Sequence, residues 1–388
     1  MTNKTLNVVH SSPIWLPLTQ TWMYTQVKYL PADFNVHIVC DRVENQDQFS
    51  LPNIHCLQNE SLVEYYWEKS WRKVLFPQNR NFLAKKCSEV GAQLIHSHFG
   101  SNGWFDLSAA NRSHIKHVVT FYGHDVNSLP SQDKRWLSRY QELFQSADVF
   151  LFEGPYMASQ VEKLGCPKEK VHVHHLGIPI DNLPFHPREY SPGQVLKVLI
   201  AAAFNEKKGI PYAIHALSRI KDLAPIEVTI IGDAGSSDIS KAEKRKIYDA
   251  ISKSNFTGEI RMMGFQPYKV LISESYKNHI FISPSVTATN GDTEGGAPVS
   301  IIEMIATGMP VVSTKHCDIP EVIHYGEEGW LVEEKDVDGL VERLIWLIKN
   351  PGEWKRITEH GRKHIETEFD AINQGIRLGK IYKKIIQN

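Results

Sequence analysis

The chain has 388 residues, 42% of them hydrophobic and 22% charged, with a formal net charge of −1. That length exceeds one ordinary core and predicts two domains of a globular protein. The near-neutral balance excludes a nucleic-acid binder that works through bulk positive charge, so no nucleic-acid partner is expected.

Five scattered cysteines, Cys40, Cys56, Cys87, Cys166 and Cys317, contain no CxxC pair. A disulfide framework or zinc ribbon is therefore not expected, and a reducing cytoplasm is the simplest compartment. The first residues, MTNKTLNVVHSSPIW, lack the apolar core of a signal peptide, and no run of eighteen apolar residues predicts a membrane span. Peripheral contact with the inner face of a membrane stays open.

The first half of the chain offers strand-like runs at 6–10 (LNVVH), 36–40 (VHIVC), 93–99 (QLIHSHF), 117–123 (HVVTFYG), 149–154 (VFLFEG) and 171–177 (VHVHHLG). After the first of them, Thr19, Gln20 and Thr21 carry hydroxyl and amide groups suited to a phosphate or sugar, although a capped helix start is the plainer reading. Residues 65–86 mix aromatics with Lys69, Arg72, Lys73, Arg80, Lys85 and Lys86. A partly buried helix with a solvated face explains them most simply; an amphipathic helix resting on anionic membrane is the functional alternative. The alternation in HVHH makes His172, His174 and His175 structural.

Residues 179–194 hold Pro179, Pro184, Pro187 and Pro192 without a clear period and read as a linker. The second half then supplies strands at 197–204, 228–232, 260–264, 279–284 and 311–314. Apolar strands separated by helices predict parallel sheets covered on both faces, with ligands at the carboxyl ends of the strands. The expected fold is α/β: a Rossmann-like domain over 1–178, a second over 195–369, and a central cleft between them. A helix over 370–388, with Ile372, Ile376, Leu378, Ile381 and Ile385 at helical spacing, is expected to pack back on the first domain.

The chemistry concentrates in the second domain. In AAAFNEKKGIPYAIHAL (201–217) a strand ends in a turn with Asn205, Lys207, Lys208 and Gly209, and lysine at that edge suits a phosphate. MMGFQP (262–267) closes another strand, where Phe265 and Gln266 lie near the same expected edge. GDTEGGAPVSIIE (291–303) runs from a glycine loop into an apolar helix. Pro298 suits a helix start, and the free N–H groups near Ala297, Val299 and Ser300 favour a diphosphate. Glu294 and Glu303 flank that start, and carboxylates accept hydrogen bonds from neighbouring sugar hydroxyls.

The run 294–332, with NEKKG, IIGDAG, MGF and HVHHLGIPID, resembles the retaining nucleotide-sugar glycosyltransferases of family 4 (group 1), which have the GT-B fold. The similarity is to the branch that builds exopolysaccharides. The resemblance implies a nucleotide-sugar donor, UDP-glucose as the best guess, and a saccharide or lipid-linked oligosaccharide acceptor. It implies no metal and no other cofactor. It places Lys208 on the donor diphosphate, Glu303 on the ribose, Glu294 with Gly295, Gly296 and Ala297 on the donor sugar, and Phe265 and Gln266 near the base. It implies contact with the reacting sugar from one of Tyr122, His124 and Asp125, and an acceptor-lining role for His98. Two departures stand out. The family spaces its glutamates with seven residues between them, and here there are eight; Ala203 stands where the family carries an arginine. Either Gly295 and Gly296 absorb the extra residue as a local bulge or Glu294 is not the equivalent of the family's first glutamate, and Lys207, Asn205 or a first-domain group is expected to replace the arginine.

A nicotinamide dehydrogenase would share the sheets, but no GxGxxG follows the first strands. A sugar-nucleotide epimerase or phosphorylase, or a non-catalytic nucleotide-sugar-binding subunit, stays as the alternative.

Overall fold

A computed structural model describes residues 5–17, 20, 22–74, 78, 80–254 and 260–387. It divides into two compact units, Met1–Ile178 with Asp370–Asn388, and Pro179–Phe369.

The first unit is built on seven parallel strands: β1 Leu6–Trp15, β2 Phe34–Val43, β3 Ile54–Cys56, β4 Leu94–His98, β5 Lys116–Phe121, β6 Val149–Phe152 and β7 Val171–Val173. Their order is β3-β2-β1-β4-β5-β6-β7. The apolar runs fill this sheet because both of its faces are covered by helices. β1 extends past Ser11, where only β2 flanks it, out to the Trp15–Val43 pair. Pro13 is tolerated there because one side of the strand has no ladder to supply. Helix Ala371–Gln387 belongs to this unit and buries Leu378, Tyr382 and Ile385 against Val8, Leu94 and Val118. Ile372 and Ile376, expected in the same apolar stripe, are exposed instead.

The second unit contains β8 Leu196–Ala201, β9 Ile226–Ile231, β10 Ile260–Met262, β11 Ile280–Ser283, β12 Val311–Thr314 and β13 Trp330–Val332, all parallel, in the order β10-β9-β8-β11-β12-β13. Its core joins Val198, Ile200, Val228 and Ile230 from the sheet to Ile214, Leu217, Leu344 and Trp354 from the helices.

The segment 179–194 is not a free linker. Ile180, Leu183, Arg188 and Tyr190 are buried within the second unit. His186 and Arg188 donate backbone N–H bonds to Thr307 and Gly308 carbonyls, both at 3.0 Å. The Arg188 guanidinium reaches the carbonyls of Asn278, Thr307 and Ser275 at 3.1, 2.9 and 3.0 Å. Gly308 has φ +85°, and a Cβ there would meet the His186 backbone at 2.7 Å. The prolines thus mark an ordered strap, tied down by Arg188 and by Arg362, whose guanidinium donates to the Leu183 carbonyl at 2.7 Å. β3 and β13, three residues each, were too short to show a periodicity.

Candidate functional site

In the second unit the strand order reverses between β8 and β11. The loops leaving the carboxyl ends of those strands flank the crevice where such sheets hold ligands. After β8, a short 3₁₀ turn, Glu206–Lys208, carries both lysines. After β11, the chain runs through 284–298 into helix Val299–Ala306. The two loops are stitched together by Val286 N–H donating to the Lys207 carbonyl at 2.8 Å. Gly209 makes the approach possible: its φ is +62°, and a Cβ would sit 1.9 Å from the Pro284 carbonyl oxygen.

Lys208 and Glu294 meet. Lys208 Nζ donates to Glu294 Oε2 at 2.7 Å, with side-chain exposures of 20% and 6%. Ser285 Oγ donates to the other carboxylate oxygen at 2.7 Å. Burial pushes the Glu294 carboxyl up, but Lys208, Lys207 and these hydrogen bonds outweigh it and hold it below its ordinary value. Gly295 turns the loop with φ +81°. The Glu294 N–H is received by His316 Nε2 at 3.1 Å.

Lys207 does not supply a free cation. Its Nζ is spent on the Thr293 carbonyl at 2.8 Å and on Asp292 at 3.2 Å. Asn205 caps the turn through its backbone, accepting from the Lys208 N–H at 2.9 Å. Ala203 stays a small, half-buried side chain at the strand end.

Helix Val299–Ala306 begins one residue later than Pro298, which sits at the cap position. Ile301 N–H is taken by the Pro298 carbonyl at 2.9 Å. The N–H groups of Val299 and Ser300 stand at the open first turn, where a helix has no internal acceptor. Glu303 lies one turn in and is 6% exposed. Burial raises its carboxyl to about 7, against a smaller opposing pull from Tyr268. The buried Tyr268 hydroxyl lies beside it without a hydrogen bond of ordinary geometry. After β10, Phe265 is 45% exposed, and Gln266 Nε2 is tied back to the Met263 carbonyl at 2.5 Å.

The first-unit candidates fare differently. His98 does not line a cleft. It has no exposed surface, and its ring nitrogens bond to His10 at 2.9 Å and to the Tyr122 hydroxyl at 2.7 Å. Asp125 is also internal: its carboxylate accepts from the N–H groups of Gly100 at 2.6 Å and Tyr122 at 3.0 Å. Tyr122 is buried within the same network. The chain does not stay extended past Gly123, whose φ is +101°, but enters a π-type turn, His124–Ser128. His124 is therefore the exposed member of the group. Thr19 and Thr21 lie outside the described residues.

Among the described residues, two groups have a spacing that a metal ion would accept: His10, His96 and His98, and His324, Glu328 and His364. The first group is already a closed network with Thr120, Tyr122 and Tyr382, and burial holds all three rings below their ordinary value. Ser285, Tyr268 and His316 were not expected from the sequence. Ser285 lies on the same loop as Glu294, Tyr268 follows MMGFQP and His316 follows β12, and none carries a motif that names its partner.

The family description "Glycosyl transferases group 1" matches residues 185–364, and "Glycosyltransferase Family 4" matches residues 19–182. An amylovoran biosynthesis glycosyltransferase of Erwinia amylovora is 30% identical over 316 residues, 81% of this chain and 74% of that protein. A provisionally named colanic acid biosynthesis glycosyltransferase of Escherichia coli strain K12 is 30% identical over 317 residues, 78% of this chain and 75% of that one. A crystal structure of a Rickettsia africae glycosyltransferase superposes with TM-score 0.77 at 16% identity, covering 99% of each chain. The Anabaena protein HepE, solved with UDP and glucose, gives TM-score 0.77 at 14% identity over 98% of this chain and all of that one. These likenesses in solved structures carry the fold, that of the GT-B glycosyltransferases.

Proposed function

The chain belongs to the group 1, family 4 glycosyltransferases, and from that premise we propose that it transfers a hexosyl group from a nucleotide diphosphate sugar to a saccharide or lipid-linked oligosaccharide with retention of anomeric configuration. The observation that carries this reading is the Lys208–Glu294 pair, set beside the open first turn of helix Val299–Ala306 at the sheet's switch point. Exopolysaccharide synthesis is the setting in which the relatives of Erwinia and Escherichia are named. UDP-glucose is the first donor to test, because a protein of the same fold has been crystallised with it.

In this reading the donor diphosphate lies against Lys208 and the N–H groups of Val299 and Ser300. An ammonium has three donors, and Glu294 uses one. Glu294, with Gly295, Gly296 and Ala297, holds hydroxyls of the donor sugar. Glu303 takes the ribose diol, and Phe265 with Gln266 flanks the base. The bond from the anomeric carbon to the diphosphate breaks as the acceptor oxygen bonds to the same face. The acceptor proton passes to the departing diphosphate, so no protein nucleophile is required. Lys208 and the helix start stabilise the charge that develops on the leaving group. No metal ion is needed for that stabilisation. His124 is the exposed first-unit side chain retained for contact with the reacting sugar.

NMR of the product of an α-linked donor tests the stereochemistry. An α-linked product is expected; a β-linked product would overturn retention. Free sugar phosphate, or an isomerised donor formed without acceptor, would instead indicate a phosphorylase or epimerase.

We also propose peripheral contact with a membrane. No described helix is long and apolar enough to cross one. Helix Leu62–Val74, however, leaves Leu62, Val63, Tyr66, Trp67 and Trp71 exposed, and Lys73 is exposed beside them. Tyr and Trp favour the headgroup layer. Flotation with anionic vesicles should carry the protein, and Trp67→Ala with Trp71→Ala should abolish it. Equal flotation of that variant would remove this face from the contact.

A further inference from the structure

His316 follows β12 and is 1% exposed. Its ring bridges two loops. Nδ1 lies 2.6 Å from Glu334 Oε1, and Nε2 lies 3.1 Å from the backbone nitrogen of Glu294. The tautomer follows from the partners. A backbone N–H can only donate, so Nε2 must accept and the ring proton sits on Nδ1, where it donates to Glu334. The Cys317 thiol, 3.2 Å from the same Nε2, fits this assignment. Burial pushes that thiol up to about 12, so it remains an S–H donor.

Glu334 is anchored in its turn. Its carboxylate accepts from the Thr287 N–H at 2.7 Å and the Thr287 hydroxyl at 3.2 Å. Burial raises this carboxyl, but the bonds from His316 and Thr287 outweigh it and lower it on balance. A relay thus runs from Thr287 through Glu334 and His316 to the Glu294 amide. It begins and ends on the same loop, 284–298. Glu294 is followed at once by Gly295 at φ +81°, where the backbone has little stiffness of its own. The side chain of Glu294 is fixed by Lys208 and Ser285, and the peptide group before it is held at its carbonyl by Lys207 and at its N–H by His316.

We propose that His316 is a positioning residue of the Glu294 loop, acting through its neutral Nδ1–H tautomer to hold the backbone from which Glu294 reaches the donor sugar. The inference rests on the donor-sugar role proposed for Glu294. Its specific content is that one ring nitrogen, Nε2, does the positioning. Side-chain substitutions can separate the two nitrogens. In His316→Gln the amide oxygen reaches the place of Nε2 and can still accept from the Glu294 N–H. In His316→Asn the amide reaches only the place of Nδ1 and can bond to Glu334 alone.

The test compares wild type, His316→Ala, His316→Gln and His316→Asn by hydrogen exchange of peptides covering 286–297 and by calorimetric titration with UDP and with UDP-glucose. His316→Ala should speed exchange in that peptide about tenfold and weaken UDP-glucose about tenfold. UDP itself, which lacks the sugar, should bind within about twofold of wild type. His316→Gln should restore both readouts, and His316→Asn should resemble His316→Ala. Unchanged exchange in His316→Ala would overturn the proposal. So would a parallel loss of UDP and UDP-glucose affinity, or rescue by asparagine in place of glutamine. Wild type binding neither ligand would count against the donor reading, while the exchange comparison would still decide whether His316 holds the loop.

Discussion

Lys208→Ala should lower the rate of glycosyl transfer by about 100- to 1,000-fold, the loss typical of removing one group that stabilises charge developing in a transition state. The substitution also has a structural consequence, because Lys208 is the partner of Glu294, whose side chain is only 6% exposed. Leaving a buried carboxylate unpaired costs on the order of 3–5 kcal/mol. Stability and catalysis can be told apart by Lys208→Ala combined with Glu294→Gln. The double variant removes the unpaired charge and should regain much of the lost melting temperature without regaining turnover. Lys208→Arg should keep the ion pair but misplace the cation, for arginine is a planar fork rather than a compact ammonium. Initial rates and thermal melts of these variants decide the matter. Near-normal turnover in Lys208→Ala would remove the lysine from the reaction.

Glu303→Gln should weaken nucleotide-sugar binding about 10- to 100-fold at pH 8, since hydrogen bonds to an ionised group contribute about 1.5–3 kcal/mol. The pH dependence gives this prediction its sign. Burial raises the Glu303 carboxyl to about 7, so the empty site prefers the protonated form. A raised carboxyl favours the folded state below its unfolded value and loses that contribution as pH climbs through the folded one. At full ionisation the difference is on the order of 3 kcal/mol. The ligand-free wild type should therefore melt lower at pH 8.5 than at pH 5.5, relative to Glu303→Gln, and the gap should widen from about pH 4.5 and be complete just above pH 7. A ribose diol donates to the carboxylate and favours its ionised form. Affinity of wild type for a nucleotide sugar should thus rise from pH 6 to pH 8, while the glutamine variant stays flat. Titration calorimetry across that range checks both. A wild type with no pH dependence would place the ribose elsewhere.

The sheets were legible because most strands carry an apolar run: the run at 279–284 contains β11, and those at 197–204 and 228–232 overlap β8 and β9. Lys208, Glu294 and Glu303 were candidates for a different reason: each lies within a few residues of a strand end or a helix start, where local chemistry shows in the order of residues. What holds them was not legible. Ser285 sits nine residues before Glu294 on the same loop, Tyr268 directly follows MMGFQP and His316 follows β12, and in each case the partner is set by the fold rather than by a local pattern. His98 and Asp125 failed in the opposite direction. A strand-end histidine and a turn aspartate look functional until burial is known. Here the first joins a closed imidazole and phenol network, and the second satisfies two backbone N–H groups. The prolines at 179–194 misled for a related reason, since the guanidinium of Arg188 organises that segment without a hydrophobic pattern.

A crystal structure of the protein soaked with UDP-glucose tests the central claim most directly. The account predicts the diphosphate within hydrogen-bond reach of Lys208 Nζ and the Val299 and Ser300 N–H groups, the ribose diol on Glu303, and sugar hydroxyls on Glu294. A nucleotide bound with its ribose away from Glu303 and its diphosphate away from Lys208 would contradict it.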